Sequence, residues 1–426
     1  MSETLATDAR TVALEALNQI LRRRQALDDA LRPDGIADAR DRAFARLLVA
    51  TTLRRKGQID AVLARCLEKL PPPPIEDLLR LGVAQLLFLE VKPHAVVDSA
   101  VELAKSGGFA PLGKLVNAVL RRISTEGQAW VAAQDAAPMN TPDWLWRAWV
   151  SAYGEATARG IAAAHLSEPP LDLTPAGSEE MWAQRLEAAQ LFTGSLRRAS
   201  GGSVTALPGY EEGGWWVQDA AATLPVRLLQ PHPGEHIADL CAAPGGKTAQ
   251  LAAAGAVVTA LDRSARRLTR LQENLTRLNL SAELVAADAS AWQPPSLFDK
   301  VLLDAPCSAT GTMRRHPDVA WTKQPSDIEK LAAAQDRLLA AAAEMVKPGG
   351  VMVFCTCSLQ PEEGGLRIEQ FLRSDARFRR VPVEAAELGG LTDLVSAEGD
   401  MRSLPCHLAE IGGMDGFFAA RLRREI

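Results

Sequence analysis

Apolar residues recur at helical spacing along the first part of the chain. Residues 11–21 place Val12, Leu14, Leu17 and Ile20 on one stripe, and residues 59–70 repeat it with Val62, Leu63 and Leu67. Pro71 to Pro74 are expected to end the second helix, since proline lacks an amide hydrogen and restricts the residue before it. Residues 78–89, 96–104 and 112–123 continue the pattern, so about six helices with short connections predict an all-α domain over residues 1–128. Residues 129–140, rich in Ala and Gln and carrying Pro138, are the best linker candidate. Thr141 and Pro142 read as an N-cap and a first-turn proline opening a helix with Trp144, Trp146 and Trp149. The stretch 141–230 has no clean period. A small α+β subdomain is expected there, with a turn at Gly201 to Ser203 and strands that the pattern does not locate.

From His236 the pattern switches to strand–helix alternation. Apolar runs at 237–241, 257–261, 282–286, 301–303 and 351–354 are separated by helical segments at 247–253, 265–278 and 331–346. Near-continuous apolar strands between amphipathic helices predict a doubly wound α/β domain over 231–426, its parallel sheet covered on both faces. A last run at 416–422 adds a candidate final strand.

Composition narrows the class. At 426 residues, 47% hydrophobic and 23% charged, the chain suits a multidomain globular protein and excludes disordered or fibrous types. Its apolar runs are too short to span a bilayer, and the opening MSETLATDAR has no apolar core for a secretory signal. Six cysteines in this length do not make a disulfide framework, so a cytoplasmic protein with free thiols is expected. Net charge is −5, which argues against wholesale wrapping of nucleic acid. Residues 1–128 nevertheless hold 19 Lys and Arg against 16 Asp and Glu, clustered at Arg22 to Arg24, Arg54 to Lys56 and Arg121–Arg122. On charge alone, solvated helix faces are the simpler reading of those clusters.

Candidate chemistry lies after the strands. The first strand–helix turn reads Cys241-Ala242-Ala243-Pro244-Gly245-Gly246-Lys247. It is no nucleotide P-loop, because Cys241 stands where the first glycine would, and it lacks the three spaced glycines of the dinucleotide fingerprint. Asp262, Asp288 and Asp304 end successive strands, where a sheet of this kind gathers its ligand. Each acid taken singly is a cap or turn residue, and together they suit ribose hydroxyls or Mg²⁺. S-adenosylmethionine, a nucleoside with an amino-acid carboxylate, fits the acids, the glycine turn and the missing phosphate loop.

Cys307 and Cys357 follow two further strands, beside the proposed methyl-donor site. Buried packing, zinc ligation and nucleophilic attack compete as explanations. Zinc lacks paired C-x-x-C spacings, and histidines such as His316 and His407 are scattered. Nucleophilic attack has a chemical reason. Carbon 5 of cytosine is too electron-poor to take a methyl group directly, and a thiolate adding to carbon 6 makes it nucleophilic. A base must then remove the carbon-5 proton so that the thiol can leave.

The segments DLCAAPGGKT, LLDAPCSATGTMRRHPDVAW and FCTCSLQPEE, with WWVQDAA and DGFFAARL, closely resemble the NOL/NOP/Sun family of RNA 5-methylcytosine methyltransferases over about residues 140–426. The N-terminal helices resemble the NusB-type RNA-binding domain, a pairing that points to the bacterial Sun/Fmu (RsmB) branch. The resemblance implies an all-α NusB-like domain, a class I Rossmann-like methyltransferase domain and a small α+β subdomain between them. It further implies methylation at carbon 5 of one 16S rRNA cytosine, with S-adenosylmethionine as cofactor. Cys357 becomes the nucleophile and Cys307 the residue that assists release. Cys241, Ala242, Ala243, Pro244, Gly245, Gly246, Lys247, Asp262, Asp288 and Asp304 would hold the donor, Asp304 also facing the target base. Arg314, Arg315 and His316 would lie near the RNA. Cys355 departs from the expected simplicity as a third thiol on the same side of the strand, and it is read as packing.

Two other functions remain open at this level. One is the same chemistry on tRNA or 23S rRNA. The other is a non-catalytic RNA binder for ribosome assembly or antitermination, for which two thiols beside a donor site have no use. The expected partner is 16S rRNA with its target cytosine unpaired or flipped, since carbon 6 is inaccessible in a stack. A monomer without membrane or metal is expected.

Overall fold

The structure, a computed structural model, describes residues 8–31, 38–199 and 201–426. Residues 1–7, which carry most of the opening segment read for a secretory signal, lie outside them. The chain divides into two compact units. One holds the residues up to Ser167 together with Arg315–Gln324, and the other Glu168–Arg314 together with Pro325–Ile426.

The first unit is helical: α1 (Ala9–Arg23), α2 (Leu27–Ala30), α3 (Ala39–Arg54), α4 (Lys56–Ala64), α5 (Pro73–Leu87), α6 (Pro93–Ala104), α7 (Gly113–Ala132), α8 (Ala136–Met139), α9 (Asp143–Tyr153) and α10 (Glu155–Ala164). Of the expected stripe on α1, Val12, Leu17 and Ile20 are buried, together with Ala13 and Ala16, while Leu14 is only half-buried. Asp38 caps α3, its carboxylate accepting from the amides of Arg40 and Asp41. Helix α5 is buried nearly all round, and its Arg80 is held by Asp60, Glu76 and Asp77.

Three sequence expectations change here. Helix α4 stops at Ala64, and Pro73 begins α5: a proline fits a first turn, whose amide has no partner to lose. The expected linker is structured. Helix α7 runs through residue 128 to Ala132, and Asn140 is buried, its side chain accepting from the Gln58 amide and donating to Gln58 and Ala136. Alanine and glutamine are good helix formers, so a linker and a helix share that composition. Pro142, not Thr141, is the N-cap position of α9; the Thr141 hydroxyl donates to the Ala137 carbonyl instead.

The second unit opens with β1 (Leu171–Pro175), α11 (Glu179–Leu186), β2 (Ala189–Gln190), β3 (Leu196–Arg198) and β4 (Trp215–Val217). These strands form an antiparallel sheet in the order β2-β3-β1-β4 over Leu173, Trp182, Leu186, Leu196 and Trp215. Gly201 to Ser203 lie outside any helix or strand, the two glycines at positive φ. Then follow α12 (Ala220–Leu229), β5 (His236–Leu240), α13 (Gly246–Ala253), β6 (Val257–Asp262), α14 (Ala265–Arg277), β7 (Glu283–Ala286) and β8 (Phe298–Asp304). Short α15 (Val319–Thr322) belongs to the helical unit. The chain closes with α16 (Pro325–Met345), β9 (Val346–Thr356), α17 (Gly365–Ser374), β10 (Phe378–Arg380), β11 (Met401–Arg402) and β12 (Phe418–Arg424).

The large sheet runs β10-β12-β9-β8-β5-β6-β7, with β11 on β12. Strands β9, β8, β5, β6 and β7 are parallel; β12, the expected final strand, is antiparallel between β9 and β10, making the sheet mixed. Side chains alternate between two cores. Ile237, Leu302, Val353 and Cys355 face one, and Ala238, Leu303 and Phe354 face the other. Strand order reverses between β5 and β8, and the pairings Leu240–Leu303 and Asp304–Cys355 keep their carboxyl ends level. A ligand crevice belongs at such a point.

Candidate active site

The β5 strand ends at Leu240, and the chain turns through Cys241 at φ 62° and Gly245 at φ 105° into α13. Gly245 is required twice over. Its backbone is left-handed, and a Cβ there would stand 2.7 Å from the Leu271 side chain. Asp239 on β5 accepts from the Thr248 hydroxyl at 2.6 Å, tying the strand to the helix it feeds. Burial pushes the Asp239 carboxyl up to about 7, with Thr248 opposing. Burial, joined by Asp304 and Asp262, pushes the Cys241 thiol to about 12, which removes it as a nucleophile.

The three strand-end acids occupy different surroundings. Buried Asp262 accepts from the amides of Ala243 and Ser264 and pairs with Arg267, which also donates to the Ala243 carbonyl. Asp288 accepts from the amide and hydroxyl of Ser290, which hold its carboxyl below the ordinary range. Cys241, Asp262 and Asp288 line one cleft of about 150 Å³ with Arg263, Ser290, Pro306 and Arg337. Asp304 stands apart from that lining. It accepts from Lys247 Nζ at 2.8 Å and from the Cys355 thiol at 3.5 Å. Burial alone would lower the Lys247 ammonium, but Asp304, Cys355 and Cys357 outweigh it and keep the lysine charged.

Beside this pair lie the two thiols. The Sγ atoms of Cys307 and Cys357 are 3.4 Å apart. Their loops are joined by backbone bonds from Ala305 to Cys355 and from Gly311 to Cys357. The bond from Cys357, then burial, raises the Cys307 thiol well above the ordinary range. Cys355, fully buried, is likewise raised by burial and then by Asp304. Cys357 is partly exposed.

The expected residues thus separate into a cleft group and a thiol group. Cys241, Asp262 and Asp288 form the first, and Lys247, Asp304, Cys307 and Cys357 the second, with Cys355 against Asp304. Ala242, Ala243 and Pro244 to Gly246 shape the turn between them, Ala242 and Ala243 being buried. Arg314 does not fit its expected place near RNA. It is 1% exposed and is held by Asp219, Asp415 and the Gly412 carbonyl. Arg315 and His316 belong to the helical unit, where His316 lies 3.8 Å from Asp28. The sequence reading missed Arg267, Ser290, Pro306 and Glu363. Ser290, two residues after an aspartate, carried an Asx-turn signal; Arg267 carried none. Among the described residues no group of three or more His, Cys, Asp or Glu is arranged to hold a metal ion. No helix among them is long and apolar enough to cross a membrane.

Comparison with known proteins agrees with this architecture. Residues 226–423 match the family described as 16S rRNA methyltransferase RsmB/F, and residues 7–125 match the NusB family. The ribosomal RNA small subunit methyltransferase B of Escherichia fergusonii is 34% identical over 97% of this chain and 98% of its own. The crystal structure of PH0851 superposes with a TM-score of 0.79 at 24% identity, covering 99% of this chain and 100% of its own. A methyltransferase homolog protein from Pyrococcus horikoshii aligns at 27% identity and a TM-score of 0.55, over 65% of this chain and 93% of its own.

Proposed function

The chain belongs to the RsmB/F family of 16S rRNA methyltransferases, and from that premise we propose that it methylates carbon 5 of one 16S rRNA cytosine through a covalent bond to Cys357. The observation that carries this reading is the pair of thiols 3.4 Å apart beside the Lys247–Asp304 ion pair. The cleft lined by Asp262 and Asp288 suits S-adenosylmethionine, since carboxylates accept from ribose and amine donors. Bound there, that cofactor supplies a methyl group on a sulfonium.

Each protein group then has a step. The Cys357 thiolate adds to carbon 6 of the flipped cytosine, and carbon 5 takes the methyl group. Lys247 is the cation beside the thiols, and Asp304 is oriented by it toward the base. Cys307 keeps its proton above the ordinary thiol range while it is bonded to Cys357. Once Cys357 is tied to carbon 6, the largest cause of that elevation is gone. Cys307 can then ionise, remove the carbon-5 proton and allow the carbon–sulfur bond to break.

Substitution separates the two roles. With a 16S rRNA transcript or subunit particle and labelled donor, Cys357→Ala is expected to abolish methyl transfer, by at least about 1,000-fold. Cys307→Ala should instead accumulate a protein–RNA adduct that survives denaturing electrophoresis. Activity retained by Cys357→Ala and lost by Cys355→Ala would reassign the nucleophile. Bisulfite sequencing of ribosomal RNA from a deletion strain tests the 16S target against 23S rRNA and tRNA.

A further inference from the structure

Glu363 lies outside the lining of the methyl-donor cleft and is fully buried in the turn after β9, where its charge adds to the causes that raise the Cys307 thiol. Its carboxyl group gathers donors from both thiol loops. Oε1 accepts from the Ser308 amide at 2.8 Å and from Gln335 Nε2 at 3.4 Å. Oε2 accepts from the Ser308 hydroxyl and from the Ser358 hydroxyl, the latter at 2.6 Å. Ser308 and Ser358 are the residues that directly follow Cys307 and Cys357. One carboxyl group therefore spans the two backbones that carry the thiols.

The surrounding bonds repeat the link. The Ser308 and Ser358 hydroxyls lie 3.1 Å apart, and the Leu359 amide donates to the Thr310 hydroxyl at 3.0 Å. Gln335 also donates to the Pro306 carbonyl, and Thr356 donates to the carbonyl of Glu363 itself. An ionised carboxylate accepts at both oxygens, so Glu363 takes donors from both thiol loops at once. Charge-assisted bonds of this kind are also the strong ones.

We propose that Glu363 is a positioning residue that sets the separation of the Cys307 and Cys357 sulfurs. This rests on the reading that those thiols make and release the cytosine adduct. Replacement by glutamine keeps the volume but puts an NH₂ where Oε2 accepts, so the Ser308 and Ser358 hydroxyls must turn from donating to accepting and their present bonds to the carboxylate are lost. The thiol loops would then shift by a fraction of an ångström. A misplacement of about 1 Å in an aligned site can cost about 100-fold in rate.

The test uses the full chain with 16S rRNA transcript and S-adenosylmethionine. Cys307→Ala is first shown to accumulate the adduct; if no adduct forms, the covalent reading fails and Glu363 is not at issue. With that established, Glu363→Gln in the Cys307→Ala background should form the adduct at least about tenfold more slowly. Alone, Glu363→Gln should lower kcat by a similar factor, with KM for donor and RNA within about twofold of the parent. Ser308→Ala and Ser358→Ala each delete one donor and should show a smaller loss of the same kind. These two carry the test if Glu363→Gln does not fold. Full-rate adduct formation in Glu363→Gln, or in both serine variants, overturns the proposal, as does a loss confined to KM.

Discussion

Asp239 holds its proton where a free aspartate would not. Its carboxyl sits near 7 in the folded chain against an ordinary 3.8, chiefly through burial, with Asp304 and Asp262 adding to the rise and Thr248 and Lys247 opposing. Between those values the folded state binds more protons than the unfolded, so stability falls as pH rises through the window. Asp239→Asn keeps an acceptor for Thr248 and removes the titration. Urea melts at pH 5 and pH 7.5 should show the parent losing about 2 to 3 kcal/mol more than the variant across that interval. At this scale the residues that chemistry singles out at strand ends, Asp304, Cys307 and Cys357, lie near one another in the structure, Cys307 and Cys357 with their sulfurs 3.4 Å apart. Arg314 was misread because an arginine beside a reactive loop looks the same whether it meets RNA or two buried aspartates. Only tertiary pairing with Asp219 and Asp415 distinguishes them.

The central strands of the large sheet were legible as buried apolar runs, and the half-exposed edge strand β7 showed as the run 282–286. The apolar runs in β5, β6 and β8 and the carboxyl half of β9 are covered on both sides, and their carboxyl ends were placed within two residues. Strand β9, however, begins at Val346, five residues before its apolar run, through Lys347-Pro348-Gly349-Gly350. Strands β2, β3 and β4 span only two or three residues each, too few for an alternation to show. What no pattern reveals is how tightly the ends of β8 and β12 meet. Gly311, in the turn after Cys307, donates to the Cys357 carbonyl and accepts from the Gly416 amide just before β12. A Cβ on Gly311 would lie 1.9 Å from the Gly416 carbonyl oxygen. Gly311→Ala must therefore push the thiol turn away from β12. We expect a loss of about 3 kcal/mol in urea unfolding and at least tenfold slower adduct formation in the Cys307→Ala background.

The helical unit is not a contiguous stretch of chain. Arg315–Gln324, which directly follows the thiol-bearing turn, completes it. Trp321 donates to the Leu53 carbonyl at 2.9 Å and lies under the Lys56 ammonium, 4.6 Å from it. Asp318 accepts from the Leu27 amide, and Arg24 donates to the Thr322 carbonyl. Trp321→Ala should cost about 3 kcal/mol, and hydrogen exchange should locate the loss at α3 and α4 rather than in the large sheet. The sequence alone places this segment within the 231–426 domain, because a contact between residues 53 and 321 leaves no local trace. During synthesis the amino-terminal helices leave the ribosome long before their last packing partner is made. At about 5–20 residues per second, the stretch from Ser167 to Gln324 takes roughly 8 to 30 s to translate. The first unit must stay soluble through that interval and reaches its final packing only after the segment carrying Cys307 has emerged.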